Sequence, residues 1–302
     1  MIFKFLFILF LFNLFCYPKR LANKQLKIIN VAFSLNNIYI NLFYTSLYSL
    51  LENSDKNTIY HIYVLVGRAF DNNNKETIKK FEKIYFNCFI HILDMKDDFS
   101  SAIIGFLSTS IYYRLKLPIL CPNIKRIIYL DSDIIVLKDL TELYTLYFEK
   151  NFILGRLDVL TDELDSLGIV INNYINTGVL LMDLYNLRKY NYFDNFTEYL
   201  NSHNNYKYLD HHDQTLINYI CHDKIGILKP RYHMWPFENE EELNNTNNIF
   251  RIKYDIKDFI NDYYNPVIVH FPGVFKKRKE NNYYKKRKEY LEKAKNLTKN
   301  IK

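Results

Sequence analysis

The chain has 302 residues, 49% of them apolar, which is enough for one large domain with a sizeable core. Much of its formal net charge of +7 comes from the stretch after residue 275, and this uneven distribution argues against a nucleic-acid-binding protein. Outside the N-terminal segment the cysteines are Cys88, Cys121 and Cys221, and their wide spacing predicts neither a disulfide framework nor a zinc site.

The N-terminal segment, residues 1–17, is almost entirely phenylalanine, leucine and isoleucine. It is shorter than the roughly 20 apolar residues that a membrane-spanning helix needs, and it is typical of the apolar core of a signal peptide. No small-residue cleavage site follows, because Pro18, Lys19 and Arg20 come next. Residues 1–22 are therefore predicted to be either a signal peptide or an uncleaved signal anchor.

From Lys27 onward, apolar residues alternate between the period of a strand and the period of a helix. The first half of the chain has predicted strands at residues 28–35, 58–66, 88–93 and 126–137. Its predicted helices lie at residues 40–52, 73–85 and 108–117. Strands and helices in alternation predict an α/β domain with an open, mostly parallel sheet and helices on both faces.

Beyond residue 151 the pattern is less regular. It predicts strands at residues 152–158, 174–184 and 267–270, and helices at residues 188–200 and 213–220. Neither a flexible linker nor a second hydrophobic pattern demands a separate domain. Residues 26–276 are therefore predicted to form a single domain.

The C-terminal segment, residues 277–302, is dense in lysine and arginine and contains Tyr283, Tyr284 and Tyr290. One interpretation is a solvated terminal helix. Another is a surface that contacts a membrane, because basic side chains meet anionic lipid and tyrosine prefers the interface. A third interpretation, a nucleic-acid-binding patch, has the least support.

The apolar stretch around residues 126–137 carries two carboxylates, Asp131 and Asp133, in its middle. Side chains two positions apart on an extended segment point the same way, so both carboxylates converge on one spot. Burying two like charges side by side is costly unless a cation lies between them. A strand that ends at Leu130 before a solvated turn is the alternative, but ligands of open α/β sheets bind beyond the ends of such strands, which favours a metal site.

Four polar segments follow apolar strands along the chain: Asp131-Ser132-Asp133, Asn176-Thr177-Gly178, Asp213-Gln214, and His270 with Gly273 and Lys276. Together they resemble the motifs of glycosyltransferase family 8, the retaining nucleotide-sugar transferases. The resemblance runs over residues 28–276. It implies a GT-A type single domain, with a mixed, mostly parallel sheet and a Rossmann-like nucleotide-binding half.

By this resemblance, Asp131, Asp133 and His270 bind Mn²⁺, with Mg²⁺ as the alternative. Carboxylate oxygens with one imidazole suit Mn²⁺, whose remaining positions take diphosphate oxygens. The cation would neutralise charge on the leaving UDP. Taken alone, a histidine at the end of a strand is more typical of a buried core histidine.

The resemblance also assigns residues to the donor nucleotide: Asn36, Tyr39, Arg114, Ser132, Gly273 and Lys276, beside Asp131 and Asp133. Lys276 matches the lysine that contacts the diphosphate, and Gly273 lets the backbone approach the phosphates. The segment from Asn36 to Tyr39 departs from the family, which has acidic residues there. Tyr39 can still stack on uracil and Asn36 can still bond the base.

Asn176, Asp213 and Gln214 match the residues that surround the transferred sugar, and they are the candidate catalytic residues. Gln214 or Asp213 would stabilise an oxocarbenium-like transition state. Asp213 is also a candidate N-cap of the helix that follows it. Asp158 and Thr177 are further candidate contacts of the sugar or the acceptor.

The resemblance thus implies a Mn²⁺-dependent hexosyltransferase that moves glucose or galactose from UDP-glucose or UDP-galactose to a glycan or glycolipid acceptor, with retention. A non-catalytic nucleotide-sugar- or glycan-binding protein on the same fold is the alternative, favoured by the altered segment at residues 36–38. The N-terminal segment favours the secretory pathway, at the membrane or lumen of the Golgi or endoplasmic reticulum, over a freely exported protein. A membrane-attached protein that faces the cytoplasm is the alternative. A membrane surface is an expected partner through residues 1–22 and 277–302, and nucleic acid is not.

Overall fold

The computed structural model describes residues 25–96, 109–158, 173–202, 212–238, 241–243, 245, 254–273 and 281–300. The strands are β1 (Lys27–Leu35), β2 (Thr58–Val66), β3 (Cys88–Asp94), β4 (Arg126–Leu130), β5 (Ile134–Val136), β6 (Ile153–Leu157), β7 (Ile175–Asp183), β8 (Ile225–Ile227) and β9 (Ile268–His270). The helices are α1 (Ile40–Glu52), α2 (Asn72–Ile84), α3 (Leu117–Leu120), α4 (Thr141–Tyr144), α5 (Leu184–Lys189), α6 (Tyr192–Ser202), α7 (His212–Ile220), α8 (Ile256–Tyr264) and α9 (Asn282–Asn300).

Seven of these strands form one sheet in the order β3-β2-β1-β4-β7-β6-β8. The pairs β1–β2, β2–β3, β1–β4 and β6–β8 are parallel, whereas β7 runs antiparallel to both β4 and β6. β5 and β9 pair antiparallel in a separate two-stranded sheet. The predicted mixed, mostly parallel sheet of a single α/β domain is confirmed.

The buried core lies on both faces of the sheet. Alternate residues of β1 divide between the two layers, with Val31 and Phe33 packing beneath α1 and Ala32 packing on the other side with Tyr112. This alternation follows from the two-residue period of a strand. The bounds of α1 and β2 agree with the predicted residues 40–52 and 58–66, since a strong period marks both segments.

One prediction about the central strand is wrong. Residues 126–137 form two strands, because the chain leaves the large sheet after Leu130 and pairs with β9 from Ile134 onward. The hydroxyl of Ser46 on α1 lies 2.7 Å from the carbonyl oxygens of both Ser132 and Ile134, so its single proton is shared between these two acceptors. These bonds serve backbone groups that the break in the ladder leaves without strand partners.

Smaller differences concern the helix ends. Asp71 caps α2, accepting from the backbone N–H of Asn73, so this helix begins before the predicted start. Residues 109–116 form a 3₁₀ helix, and Pro118 lies in the first turn of α3 instead of following the end of a helix. β8 and α8 were not predicted.

The C-terminal helix α9 packs against α1 within the same core. Tyr284 and Tyr290 are buried, and the hydroxyl of Tyr290 accepts a hydrogen bond of 2.9 Å from the Asn53 side chain. These two tyrosines therefore do not face a membrane. Among the described residues, no helix is long and apolar enough to cross a membrane. Cys88, Cys121 and Cys221 are buried free thiols.

Candidate active site

The candidate site lies where the strand order reverses. β2 and β3 lie on one side of β1, and β4 lies on its other side, parallel to it. Open α/β sheets bind ligands beyond the carboxyl ends of the strands at such a switch point. Asp131 directly follows β4, and its backbone N–H donates to the carbonyl oxygen of Gly178 on β7 at 2.8 Å.

Asp131, Asp133 and His270 form a cluster whose ligand atoms all lie within 4.8 Å of one another. Nε2 of His270 is 3.1 Å from Oδ1 of Asp133 and 3.8 Å from Oδ2 of Asp131. The pairing of β5 with β9 produces this approach, because Ile134 lies opposite His270 in the register. Asp133 and His270 are buried.

The cluster fits a divalent cation. Its donors are two carboxylates and one imidazole nitrogen, a mixed set that suits Mn²⁺ and related ions. Gly178 leaves room for two of these side chains, because a Cβ there would lie 2.3 Å from Cε1 of His270 and 3.0 Å from Oδ2 of Asp131. Asp131, Asp133 and His270 would hold the cation.

His233 supports the metal ligand His270 and was not predicted. Its Nε2 lies 2.7 Å from Nδ1 of His270, and its side chain is fully buried. Burial lowers the pKa of His233 well below its ordinary value, so the ring is neutral and can accept. A proton on Nδ1 of His270, donated to His233, leaves Nε2 free to bind a cation.

Arg114 connects the cluster to the predicted sugar site. Its guanidinium contacts Asp131 at 2.9 Å, Asp213 at 3.1 Å and the carbonyl oxygen of Thr177 at 2.6 Å, and it stacks on Tyr129 at 4.1 Å. The two carboxylates outweigh the effect of burial and raise its pKa. Only 4% of Arg114 is exposed, so in this structure it positions Asp131 and Asp213.

Asp213 lies in the first turn of α7, which begins at His212, so it does not occupy the capping position that precedes the helix. Its carboxylate contacts Arg114 and, at 3.4 Å, the hydroxyl of Thr177. Burial raises the pKa of Asp213 to about 6, although Arg114 opposes the shift. A carboxyl group that titrates near neutrality is typical of functional sites.

The other predicted sugar contacts form one hydrogen-bond network. The Gln214 side chain donates to Oδ2 of Asp158 at 3.1 Å and to the hydroxyl of Tyr174 at 3.2 Å. The Asn176 side chain donates to the same carboxylate oxygen of Asp158 at 2.8 Å. Backbone N–H of Thr177 donates to the Gln214 side chain at 3.3 Å. Residues far apart in sequence are thereby held against β7.

The remaining described residues that were predicted to contact the donor nucleotide lie outside this hydrogen-bond network. Asn36 caps the 3₁₀ turn at Asn37–Tyr39, where its side-chain oxygen accepts from the backbone N–H groups of Ile38 and Tyr39. Ser132 is buried, and Gly273 has a positive φ of 47° that favours glycine. Lys276 lies outside the described residues.

Sequence reasoning missed several residues of the site. Tyr129 could have been predicted, because strand alternation places Tyr129 and Asp131 on the same side. Its hydroxyl donates to the Asp131 carboxylate at 3.1 Å. Asn218 gave no such signal, yet its fully buried side chain bonds both the N–H and the carbonyl oxygen of Ile175 at 2.8 Å. It fixes the start of β7.

A mixed sheet with a carboxylate–imidazole cluster at its switch point is the arrangement expected of a glycosyltransferase of the GT-A type. The sequence model of glycosyl transferase family 8 matches residues 30–277. The chain belongs to glycosyltransferase family 8. Membership supports glycosyl transfer from a nucleotide-sugar donor to a glycan acceptor, with a divalent metal at the cluster.

Curated relatives and solved structures agree with this assignment. General stress protein A of Bacillus subtilis is 27% identical, over 80% of this chain and 85% of its own length. Lipopolysaccharide 1,2-glucosyltransferase of Escherichia coli is 25% identical, over 76% of this chain and 67% of its own length. The galactosyltransferase LgtC, solved with donor and acceptor sugar analogues, superposes with a TM-score of 0.68 at 19% identity, covering 89% of this chain and 96% of LgtC. GlyE of Streptococcus pneumoniae has a TM-score of 0.63 at 17% identity, covering 90% of this chain and 62% of GlyE.

Proposed function

We propose that the protein transfers a hexose, glucose or galactose, from UDP to a glycan or glycolipid acceptor, with Mn²⁺ at Asp131, Asp133 and His270 and with retention. The observation that carries the proposal is the meeting of these three side chains at the switch point of the sheet. A relative named as a glucosyltransferase of lipopolysaccharide and a similar fold named as a galactosyltransferase support a hexose and a glycolipid acceptor.

The metal and the polar network have different roles in this proposal. A cation bound by the cluster would neutralise charge developing on the leaving diphosphate. Asn176, Asp158 and Gln214 present fixed amide and carboxylate groups to sugar hydroxyls. Asp213, held by Arg114 and Thr177 beside Gln214, is placed to stabilise positive charge on the sugar ring when it is ionised.

The membrane is the proposed location of the acceptor. Residues 1–22, whose sequence is typical of a signal peptide or anchor, support a protein attached to a membrane of the secretory pathway. A basic segment near an anionic leaflet would add to this attachment. The basic residues of α9 that face solvent, such as Lys288, are available for such a contact.

The test uses the full-length protein in detergent with a panel of UDP-sugars and Mn²⁺. We expect slow hydrolysis of one donor, reduced by more than about 100-fold in Asp133→Ala and His270→Ala, since changes in the outer shell of a metal alone cost up to about 100-fold. Asp223→Ala is the matched control, because it removes an exposed carboxylate that pairs with the neighbouring Lys224.

Two results would contradict the proposal in different ways. UDP that binds with Mn²⁺ while no donor is ever hydrolysed, even when glycan and glycolipid acceptors are added, would identify a non-catalytic nucleotide-sugar-binding protein. A protein that binds neither Mn²⁺ nor UDP in titration calorimetry would refute a donor site at this cluster.

A further inference from the structure

A cation on the C-terminal helix lies beside the metal cluster. The guanidinium of Arg287, on α9, is 4.5 Å from the centre of the Phe271 ring. Phe271 directly follows the ligand His270, and its backbone N–H donates to the carbonyl oxygen of Asp133 at 3.0 Å. Arg287 therefore lies against a residue that follows one predicted metal ligand in sequence and bonds the backbone of another.

Aromatic contacts fix the position of α9, which carries Arg287, against the rest of the domain. Tyr284, one turn before Arg287, packs edge-on against Phe271 with ring centroids 5.0 Å apart. Further along α9, Tyr290 contacts Tyr48 and accepts a hydrogen bond from Asn53 of the segment that ends α1. The position of Arg287 relative to the cluster is thus set by buried aromatic contacts.

Among the described residues, no carboxylate binds the guanidinium of Arg287 directly. Its side chain is half-buried, and within the described part of the chain its guanidinium forms no hydrogen bond or ion pair. Burial lowers its pKa, and Asp133 is the main charge that opposes this shift. Arg114 differs, because two carboxylates bind it directly. A desolvated cation without a bound anion is costly, and a ligand that brings an anion removes this cost.

The neighbouring basic residues of α9 do not share this arrangement. Lys286 pairs with Glu289 at 3.6 Å and lies over the Tyr290 ring at 5.0 Å, and Lys288 is exposed. A guanidinium presents a planar fork that matches two phosphate oxygens. Of these three cations, Arg287 alone contacts the segment that carries His270, where a cation-bound diphosphate would lie.

We propose that Arg287 binds the diphosphate of the nucleotide donor, so that the C-terminal helix contributes a phosphate ligand to the site. The inference rests on the proposed function, because it requires a nucleotide diphosphate at the metal cluster. It gives this basic segment a role in donor binding that is separate from any contact with a membrane.

The test compares full-length wild type with Arg287→Met, which replaces the guanidinium by an unbranched apolar side chain, and with Arg287→Lys. UDP affinity is measured by calorimetry at saturating Mn²⁺, and affinity for Mn²⁺ alone is measured by electron paramagnetic resonance. We expect Arg287→Met to weaken UDP binding about 10- to 100-fold, the loss typical of a charge-assisted pair of hydrogen bonds, with Arg287→Lys in between. Affinity for Mn²⁺ should stay equal or rise, since a positive charge near Asp133 is removed.

The control is Lys288→Ala, which removes an exposed charge one residue away and should leave both affinities unchanged. UDP affinity within about twofold of wild type in Arg287→Met would overturn the inference. A parallel loss of Mn²⁺ and UDP binding would also overturn it, since that result indicates a structural role. If wild type itself fails to bind UDP with Mn²⁺, the proposed function fails instead.

Discussion

Replacing Gly178 by alanine perturbs two metal ligands with a single methyl group. A Cβ at this position would lie 2.3 Å from Cε1 and 2.8 Å from Nδ1 of His270, and 3.0 Å from Oδ2 of Asp131. The first of these atoms belongs to a ring held from behind by His233, so the imidazole has little freedom to retreat. The clash is therefore relieved mainly by moving His270 away from Asp131 and Asp133.

The size of the effect follows from these distances. Carbon atoms in ordinary contact are about 3.5 Å apart, so Cε1 of His270 must move by about 1 Å. A misplacement of about 1 Å in a functional group costs on the order of 100-fold in rate. We expect Mn²⁺ affinity to fall about 10- to 100-fold, in line with changes that disturb the orientation of a metal ligand. Overpacking should also lower the free energy of unfolding by about 1–3 kcal/mol.

Gly226→Ala separates the two effects. A Cβ at Gly226, on β8 at the far edge of the sheet, would lie 2.5 Å from Cδ2 of Leu154 and 2.7 Å from Nδ2 of Asn151. Both variants should unfold at lower urea concentration, but only Gly178→Ala should lose Mn²⁺ affinity in paramagnetic resonance titrations. Wild-type Mn²⁺ affinity in folded Gly178→Ala, or an equal loss in Gly226→Ala, would refute the reasoning.

Two further predictions concern Asp213 and His233. Burial raises the pKa of Asp213 from 3.8 to about 6 in the folded protein. Between pH 3.8 and about 6 the folded state therefore keeps a proton that the unfolded state has lost. The free energy of unfolding of wild type should fall as pH rises through this range, by up to about 3 kcal/mol. In metal-free urea unfolding across this range, Asp213→Asn should remove that loss; an unchanged pH dependence would show that another group causes it. His233→Phe removes the acceptor for Nδ1 of His270 and should lower Mn²⁺ affinity about 10- to 100-fold, with partial recovery in His233→Gln, measured by the same resonance titration. Wild-type affinity in the phenylalanine variant would exclude this role for His233.

The sequence predicted well those helices and strands whose bounds follow from their own hydrophobic period. The bounds of α1 and β2 agree with the hydrophobic periods, because one face of each segment is buried against the sheet or its helices. The split between β4 and β5 could not be predicted in this way. It depends on β7 and β9, which lie far along the chain and compete for the same stretch of backbone.

Some residues of the candidate site could likewise be predicted from the sequence, whereas others depend on non-local contacts. The sequence predicted that Asp131 and Asp133 converge, and they do, but they lie in the turn between β4 and β5 and not on one continuous strand. The family resemblance added His270, Asn176 and Gln214. Nothing near His233 marks it as a partner of His270. Their contact arises because the backbone N–H of His270 donates to the carbonyl oxygen of Met234, a non-local bond that places the two histidines side by side.

The charges of the site show why a metal ion belongs there. Asp131, Asp133 and Asp213 converge, and Arg114 is the cation that directly contacts two of them. Arg114 brings one positive charge to these three carboxylates, so the remaining carboxylate charge is reduced either by protonating Asp213 or by binding a cation. A cation at the cluster adds positive charge near Asp213, which lowers the pKa of that group and favours its ionised form near neutral pH. The ion that binds the donor would thus also keep Asp213 charged where the sugar is transferred.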